Sequence, residues 1–393
     1  MSARTCDMAI VGGGLAGGLI ALAVTEKRPD LTVRLFEAGA VLGGNRRWSW
    51  FSSDLTREGR ALMKRFPAVR WNDGYDVRFP DDRRRLDSHY RSLASADFAA
   101  ALERLLPEGT IRANCRAAAF DAAGVALDGG ERIAARAVID CRGFAPTPHL
   151  SGGWQAFYGQ HVRTARPHGV MRPVIMDASV GQTGGLRFVY LLPLGEHELL
   201  LEDTYYQPRG SLDEEAMIRR LARYAGKNRW DCEVLGVETG VLPVISGGDF
   251  EPWQAERRIA GVARAGAHAG FLHPLTSYTL PFAVETALAV ARAADLPGPE
   301  LAAMLEERAR AHWERTRFHR RLATLLFGAA RPNRRWKMLA RFYDLPEPLI
   351  ERFYAARTTR ADRLRILCGT PPVSPLRAVR ALLTSRPTLQ RPE

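Results

Sequence analysis

Cysteine is scarce in this chain of 393 residues, and the cysteines that it has are far apart. They are Cys6, Cys115, Cys141, Cys232 and Cys368, with no Cys-x-x-Cys pair among them. An odd number at irregular spacing argues against a disulfide framework, and the lack of closely spaced ligand pairs argues against a zinc site. We therefore predict a protein of a reducing compartment that holds no metal.

Long apolar runs are missing as well. No stretch reaches the roughly 20 apolar residues that a membrane-spanning helix needs. Residues 8–24 have the length of a secretory signal, but their glycines are spaced for another purpose and no cleavage-like boundary follows. We expect neither a signal peptide nor a transmembrane helix.

Acidic residues are too few to balance the basic ones. The chain has 56 Lys and Arg against 43 Asp and Glu, which gives a net charge of +13 at pH 7. This surplus favours an anionic partner, and charge alone leaves open cofactor phosphates, a nucleic acid, an acidic membrane or a mere genomic preference for Arg. The basic residues are dispersed and match no nucleic-acid-binding motif, so we expect no nucleic-acid partner.

The first forty residues read as a compact β-α-β unit. Residues 7–11 form a short buried strand, residues 15–25 an apolar helix and residues 31–37 a second strand. The turn between the first strand and the helix satisfies the G-x-G-x-x-G motif of dinucleotide-binding proteins. The residues assigned to this cofactor site are Gly12, Gly14, Leu15, Ala16 and Gly17.

Each part of this motif has a physical purpose. Gly12 allows a tight turn, Gly14 lets a pyrophosphate approach the backbone, and Gly17 lets the helix pack on the strand. The start of the helix then faces the negative charge of the pyrophosphate. Glu37 follows Gly17 by twenty residues, where an acid accepts hydrogen bonds from ribose hydroxyls and disfavours a 2′-phosphate.

Two later glycine turns favour FAD over NAD. The pair Gly43-Gly44 resembles the flavoprotein extension of the motif, in which the chain follows the dinucleotide towards the flavin. The strand and turn that end at Gly143 resemble a later element of the same proteins. The chain has no second G-x-G-x-x-G, so a dedicated nicotinamide domain is not expected.

Two adjacent acids, Glu202 and Asp203, follow an apolar strand. Neighbours in a strand point to opposite faces, so one of them can enter a cavity while the other faces outward or pairs locally. A carboxyl group in an apolar cavity keeps its proton, as a general acid must. The alternative interpretation is a strand that ends in a solvated acidic turn.

The remaining pattern completes an α/β fold class. We predict a Rossmann-type FAD-binding domain, an inserted antiparallel-sheet substrate domain and a helical C-terminal region. The corresponding segments are residues 1–150, 151–250, a return to the FAD-binding domain at 251–297, and a basic helical region at 298–393.

Several long stretches carry a family resemblance that covers nearly the whole chain. They are residues 11–18, 43–45 with 48–49, 157–160, 172–178, 187–190, 201–204, 240–243, 273–278 and 361–367. On these residues the chain resembles the bacterial lycopene β-cyclases. It departs from their pattern at Arg46-Arg47, where the family has His-Thr, near Phe51, where it has a His, and at Ser277, where it has a Gly.

The resemblance implies a net non-redox cyclisation. The family closes the linear end groups of lycopene into β-ionone rings, giving γ-carotene and then β-carotene. It requires reduced FAD, with NAD(P)H as the electron donor. An anionic reduced flavin would offset the positive charge of a carbocation in a dry pocket. A flavin monooxygenase or a prenyl reductase on the same fold is the competing interpretation.

The resemblance also assigns residues. Glu202 is the expected proton donor, and Asp203 is an orienting or alternate acid. The segment containing His273, Pro274, Ser277 and Tyr278 is expected to lie against the flavin. Trp48, Trp50, Phe157 and Tyr158 are candidates to flank the polyene or to stabilise a cation, with core packing as the alternative.

A basic segment suggests how such a substrate would be reached. Residues 312–326 carry apolar side chains at roughly helical spacing with Arg among them. Two interpretations fit: an amphipathic helix on an anionic membrane, or a helix packed on the body with a solvated basic face. Because lycopene and related acyclic carotenoids occupy the lipid phase, we expect a peripheral protein on the cytoplasmic face of the cell membrane.

Overall fold

The computed structural model describes residues 5–182, 184–368, 373–384 and 386–390. The strands in this part of the chain are β1 (Thr5–Val11), β2 (Val33–Phe36), β3 (Arg47–Phe51), β4 (Val69–Trp71), β5 (Tyr75–Phe79), β6 (Asp82–Leu86), β7 (Tyr90–Ala94), β8 (Ile111–Arg112), β9 (Ala117–Asp121), β10 (Gly124–Leu127), β11 (Arg132–Asp140), β12 (Thr147–Thr164), β13 (Val174–Asp177), β14 (Leu186–Pro193), β15 (Glu198–Gln207), β16 (Cys232–Gly248), β17 (Ala263–Arg264) and β18 (Thr388–Leu389).

The α-helices are concentrated towards the C-terminus. They are α1 (Leu15–Lys27), α2 (Arg57–Met63), α3 (Ser95–Leu105), α4 (Glu214–Lys227), α5 (Phe250–Glu256), α6 (Leu280–Arg292), α7 (Gly298–Arg315), α8 (Arg317–Gly328), α9 (Trp336–Tyr343), α10 (Glu347–Tyr354), α11 (Arg360–Leu367) and α12 (Pro375–Leu383).

The first sheet is the predicted Rossmann-type unit. Its strand order is β8-β2-β1-β11-β10-β9, with β17 pairing β11. The pairs of β1 with β2 and β11, of β2 with β8 and of β11 with β17 are parallel. Helix α1 crosses from β1 to β2 and is buried along most of its length, between the sheet and α6. The β-α-β prediction is therefore confirmed.

The second sheet is longer and mostly antiparallel. Its order is β16-β12-β15-β14-β13-β5-β6, with β18 pairing β12, and the pair of β5 with β13 is parallel. Strands β12 and β16 run side by side for most of their 18 and 17 residues. Strands β5 and β6 reach this sheet from within the first 150 residues of the chain.

These elements confirm the predicted fold class: an α/β fold of Rossmann type with an antiparallel sheet and a helical C-terminal region. A third sheet has the order β3-β7-β4, and its buried apolar side chains belong to the hydrophobic clusters of both larger sheets. The exact division of the chain into four segments stays a prediction. In the described part of the chain, no helix has both the length and the apolar character that crossing a membrane requires.

Of the two interpretations of residues 312–326, the structure favours packing on the body, although the segment is divided between two helices. Helix α7 ends at Arg315 and α8 begins at Arg317. The Arg320 guanidinium is buried and lies 3.5 Å from the centre of the Trp313 ring. Leu322, Leu325 and Leu326 line an internal cavity. The apolar side chains of this segment therefore face the interior.

Candidate active site

A cavity of about 1170 Å³ lies between the two large sheets and the C-terminal helices. At one end it is lined by the turns that follow β1, β2 and β11, where the carboxyl ends of parallel strands meet. At the other end its wall is mostly apolar. The residues of that end include Leu322, Leu325, Met338, Leu339, Phe342, Leu345 and Ile366.

The glycine turn has the geometry that its sequence predicts. Gly12 has a φ of +106°, which disfavours any residue with a side chain. A Cβ atom at Gly17 would lie 2.1 Å from the carbonyl oxygen of Gly12, so this glycine is needed where α1 packs on the turn. A Cβ at Gly14, Gly44 or Gly143 would meet no atom within 4 Å, and these three line open space.

Glu37 joins the glycine turn from the end of the second strand. Its Oε2 accepts a hydrogen bond from the Gly13 amide at 2.7 Å, and its Oε1 accepts one from the Gly39 amide at 2.8 Å. Leu15 and Ala16 line the cavity at the start of α1, beside Glu37. An open glycine cradle, a helix start and an acid beside them fit an adenine dinucleotide.

Glu202 lies in the wall of the same cavity, on β15. Its removal from bulk water raises the pKa of this carboxyl well above its usual range, and the neighbouring charge of Glu238 raises it further. The Thr204 hydroxyl donates a hydrogen bond to Glu202 Oε1 at 2.6 Å. Both effects favour the protonated form of this carboxyl, which lines the cavity.

Asp203 points to the opposite face of β15, which corrects its assignment as an alternate acid. It is fully buried, and its Oδ1 accepts a hydrogen bond from Nε of Arg187 at 2.6 Å. Its Oδ2 lies 3.8 Å from Arg220. Asp203 is not among the cavity-lining residues, so its charge holds neighbouring strands and α4 together.

A row of tyrosine hydroxyls lies next to Glu202, and of its members only Tyr278 was predicted as a site residue. The Tyr90 hydroxyl is hydrogen-bonded to Tyr190 and, at 2.7 Å, to Tyr278. Tyr190 is paired with Glu202 across β14 and β15, and both Tyr190 and Tyr278 line the cavity. Burial raises the pKa of all three tyrosines, so they remain neutral hydroxyls.

His273 and Pro274 support the loop and do not line the cavity, which corrects their assignment to the cofactor site. His273 Nδ1 accepts from the Thr276 amide at 3.1 Å, and its Nε2 donates to the Phe353 carbonyl at 3.1 Å. Burial lowers the pKa of this imidazole, so it stays neutral. The Pro274 carbonyl accepts from the Ile245 amide at 2.8 Å. Ser277 and Tyr278 do line the cavity.

Ser277 adopts a backbone conformation that normally favours glycine. Its φ is +58°, in the left-handed region. Its hydroxyl donates to the Pro243 carbonyl at 2.8 Å, and its amide donates to the His273 carbonyl at 2.8 Å. The side-chain hydrogen bond therefore offsets the steric cost of a Cβ atom at this turn.

Substitutions at Ser277 are expected to separate the stabilisation by its side-chain hydrogen bond from the steric cost of its left-handed backbone conformation. Ser277→Ala keeps the strain and loses the hydrogen bond, and we expect it to lower the free energy of unfolding by about 1–2 kcal/mol. Ser277→Gly loses the same bond but releases about 1 kcal/mol of strain, so it is expected to unfold at a higher urea concentration than the Ala variant. Equal midpoints for the two variants would show that the left-handed conformation is not kept in solution.

The four aromatic candidates divide into two pairs. Trp48 and Phe157 line the cavity, so they stay candidates for the wall of a substrate site. Trp50 is buried in the core around α1 and α6, and Tyr158 is buried in the cluster below β15. For Trp50 and Tyr158 the structure corrects the substrate-binding assignment in favour of core packing.

Comparison with known proteins decides the family. Residues 7–380 match the family model described as lycopene cyclase protein. The chain belongs to the lycopene cyclase family. Among curated members, the lycopene beta-cyclase of Pseudescherichia vulneris is 42% identical over 382 residues, which are 97% of this chain and 98% of that protein.

Two other curated members are similar to this chain to about the same extent. The lycopene beta-cyclase of Pantoea ananas is 40% identical over 96% of this chain and 98% of its own length. That of a Paracoccus species is 42% identical over 98% of this chain and 99% of its own length. This member of the lycopene cyclase family therefore matches its relatives from end to end.

Three solved structures have a fold similar to that of this lycopene cyclase family member. A geranylgeranyl bacteriochlorophyll reductase-like protein of Thermoplasma acidophilum superposes with a TM-score of 0.61 at 13% identity, covering 96% of this chain and 98% of that one. A p-nitrophenol 4-monooxygenase of Pseudomonas putida gives 0.62 at 17% identity, covering 91% and 100%. A halogenase in complex with FAD gives 0.59 at 15% identity, covering 89% and 81%.

Proposed function

We propose that this chain closes the linear end groups of lycopene into β-ionone rings, forming γ-carotene and then β-carotene. The observation that carries the proposal is the position of the Glu202 carboxyl in the wall of a large, mostly apolar cavity, where burial raises its pKa and so favours the proton-bearing form. A polyene has no polar group with which a protein could form a hydrogen bond, so a cavity with apolar walls is suited to bind it. Its cyclisation must begin with a proton, and Glu202 is placed to supply one.

The atoms and electrons of a cyclisation started by Glu202 balance without an oxidant, a reductant or another co-reactant. The Glu202 proton forms a C–H bond at the inner carbon of the terminal double bond of the substrate, and the positive charge falls on the outer carbon, which carries two methyl groups. The next double bond attacks the cationic carbon, a ring carbon–carbon bond forms, and loss of a proton from the ring creates the ring double bond. One proton enters and one leaves, so the reaction is an isomerisation.

FAD is the cofactor that fits the other end of the cavity. Gly12, Gly14, Gly44 and Gly143 line it without side chains, and Glu37 is placed for the ribose. The halogenase of similar fold is in complex with FAD, which supports this assignment. Reduced FAD, with NAD(P)H as its electron donor, would supply a negative charge that offsets the carbocation.

The function is tested by anaerobic incubation with lycopene in liposomes, FAD and NADPH. Chromatography is expected to show γ-carotene first and β-carotene later. NADPH oxidation is expected to be needed only to reduce the flavin and not to rise in step with product. An oxidised or hydrogenated carotenoid, formed with matching consumption of NADPH, would place the chain with the monooxygenases or reductases of the same fold instead.

We propose that the chain collects its substrate as a peripheral protein on the inner face of the cell membrane. Helices α11 and α12 lie at the apolar end of the cavity, where Ile366, Leu367 and Ala378 contribute to its lining. The two helices also expose a set of large apolar side chains, here called the apolar face: Leu364, Leu367, Leu376, Val379, Leu382 and Leu383.

The charge around the apolar face suits an anionic bilayer. Arg365, Arg377 and Arg380 are exposed beside it. No Asp or Glu occurs in the sequence from Arg363 to Gln390. An apolar face flanked by arginines alone is the pattern of a helix that lies in a membrane interface. A carotenoid leaving the lipid there would enter the cavity from its apolar end.

Polar substitutions in the apolar face are expected to release the protein from membranes. The variant with Leu376→Ser, Val379→Ser and Leu383→Ser should bind phosphatidylglycerol vesicles at least about tenfold more weakly, because each large side chain contributes on the order of 1 kcal/mol or more. Vesicle co-sedimentation measures this. Met171→Ser is the matched control, since Met171 is 79% exposed on another surface. Unchanged vesicle binding, or a change only in self-association, would contradict the assignment.

A further inference from the structure

Four residues form a row across the large sheet at the position of Glu202. Tyr190 on β14 is paired with Glu202 on β15, Glu202 is paired with Gly159 on β12, and Gly159 is paired with Glu238 on β16. Residues paired directly across neighbouring strands point to the same face of a sheet. Two carboxyl groups thus rise from the same face, on either side of a glycine.

The glycine between them leaves room for the two side chains to meet. A Cβ atom at Gly159 would lie 2.9 Å from Cγ of Glu238 and 3.3 Å from its Oε1, and 3.5 Å from Cβ of Glu202. The Glu238 side chain therefore occupies the space above the glycine and leans towards Glu202. Any residue with a side chain at position 159 would separate the two carboxyls.

The two carboxyls have different surroundings. Glu238 is almost fully buried, is not among the cavity-lining residues, and lies close to the positive charges of Arg46 and Arg47. Glu202 faces the cavity, with the neutral hydroxyls of Thr204 and Tyr190 beside it. An ionised carboxylate is stabilised on the arginine side, and a neutral carboxylic acid is tolerated on the cavity side.

We propose that Glu238 is a positioning residue that shares a single proton with Glu202 and holds it on the carboxyl facing the cavity. This rests on the proposed function, for which Glu202 is the acid. Two carboxylates in contact cannot both ionise without large repulsion, so the pair keeps one proton. The arginines place the charge on Glu238, and Glu202 remains the proton donor.

The ionisation of the pair follows from the groups around it. Removal from water raises the pKa of both carboxyls, and at Glu202 the charge of Glu238 raises it further. Arg47 and Arg46 act in the opposite direction on the pKa of Glu238. Asp203, on the other face of β15, adds a smaller repulsion that also favours the neutral form of Glu202.

Glu238→Gln is expected to change the pH dependence of cyclisation. The donor is active when protonated, so the rate falls as the pH rises through the pKa of Glu202. Removing the neighbouring negative charge lowers that pKa and moves this alkaline limb to lower pH. At a pH between the two limbs the variant should cyclise at least about tenfold more slowly than the wild type, and its rate should recover at lower pH.

The comparison uses the FAD-loaded enzyme in lycopene liposomes, with Glu238→Asp and Glu233→Gln as companion variants. Glu238→Asp keeps the charge and should keep the alkaline limb close to that of the wild type. Glu233 is on the same strand with its side chain 70% exposed, so its Gln variant should match the wild type. An unchanged limb in Glu238→Gln, even with a lower overall rate, would show a structural role only and overturn the proposal.

Infrared difference spectra over a pH titration test the pair without any turnover. The wild type should show a protonated carboxyl band at neutral pH that disappears in Glu202→Gln and titrates at lower pH in Glu238→Gln. Asp54, whose pKa burial raises to about 7, should contribute equally in all three proteins. Finding both carboxyls ionised at neutral pH would overturn the shared proton. A wild type that shows the band but forms no ring would instead count against the proposed function.

Discussion

Glu202→Gln is expected to lose at least about a thousandfold of the cyclisation rate, in line with the removal of a positioned general acid. Glutamine has nearly the same shape, and its amide oxygen can still accept the hydrogen bond of Thr204. It has no proton to give to an alkene. The purified variant should therefore bind FAD and unfold like the wild type while forming no γ-carotene in anaerobic liposome assays.

Two further variants make this result specific. Glu198→Gln changes an acid at the start of the same strand, whose side chain is 35% exposed, and should cyclise at the wild-type rate. Asp203→Asn leaves the buried Arg187 without its charged partner and is expected to cost about 3 kcal/mol of stability while the folded fraction stays active. Rapid cyclisation by Glu202→Gln would shift the donor to another group.

Gly17→Ala is expected to abolish FAD binding. The added Cβ would lie 2.1 Å from the backbone carbonyl oxygen of Gly12, which cannot rotate away as a flexible side chain would. Helix α1 must therefore move off the turn, and with it the cradle for the pyrophosphate. We expect a loss of roughly 3 kcal/mol or more in stability, above the usual cost of overpacking, and apoprotein on purification.

Gly14→Ala is the matched control for this clash. Its φ of −71° suits any residue, and a Cβ there meets no atom within 4 Å. The protein should fold with wild-type stability but bind FAD more weakly, because the methyl group occupies the space proposed for the pyrophosphate. FAD absorbance and thermal unfolding separate the two effects. Normal FAD content in Gly17→Ala would contradict the proposed packing.

The end of the cavity that is formed by the glycine turn could be predicted from the sequence, because the residues that determine its geometry are close together in the chain. Gly12, Gly14, Gly17 and Glu37 lie within one β-α-β unit, and each type of residue is required by a nearby turn or helix start. Short-range geometry of this kind needs no knowledge of distant contacts.

The part of the cavity that contains Glu202 could be predicted from the sequence only in part. Alternation along β15 predicts that Glu202 and Asp203 face opposite ways, but which of them faces the cavity depends on the packing of the whole sheet. The meeting of Glu202 with Glu238 depends on the register of three strands that are far apart in sequence. No local pattern specifies that register, so Glu238 and Tyr190 were missed.

The segment at 312–326 shows a second limit. Apolar residues at helical spacing look the same whether they face a bilayer or an internal cavity. In this chain Leu322, Leu325 and Leu326 face the cavity, whereas α11 and α12 carry several exposed large apolar side chains. The spacing of the apolar residues indicates correctly that one side of this segment is apolar. It does not indicate whether that side contacts a bilayer or the protein interior.

The cavity presents one acid to a substrate that has two equivalent ends. Among the described residues of its lining, the carboxyls are Glu202 and Glu37, and Glu37 is engaged by the amides of Gly13 and Gly39. With the proposed function, a molecule with one finished ring is expected to withdraw, reverse and re-enter before a second ring can form. We then expect synthesis to be distributive: the half-finished carotenoid competes with fresh substrate, and the ratio of lycopene to enzyme sets the proportion of one-ring and two-ring products.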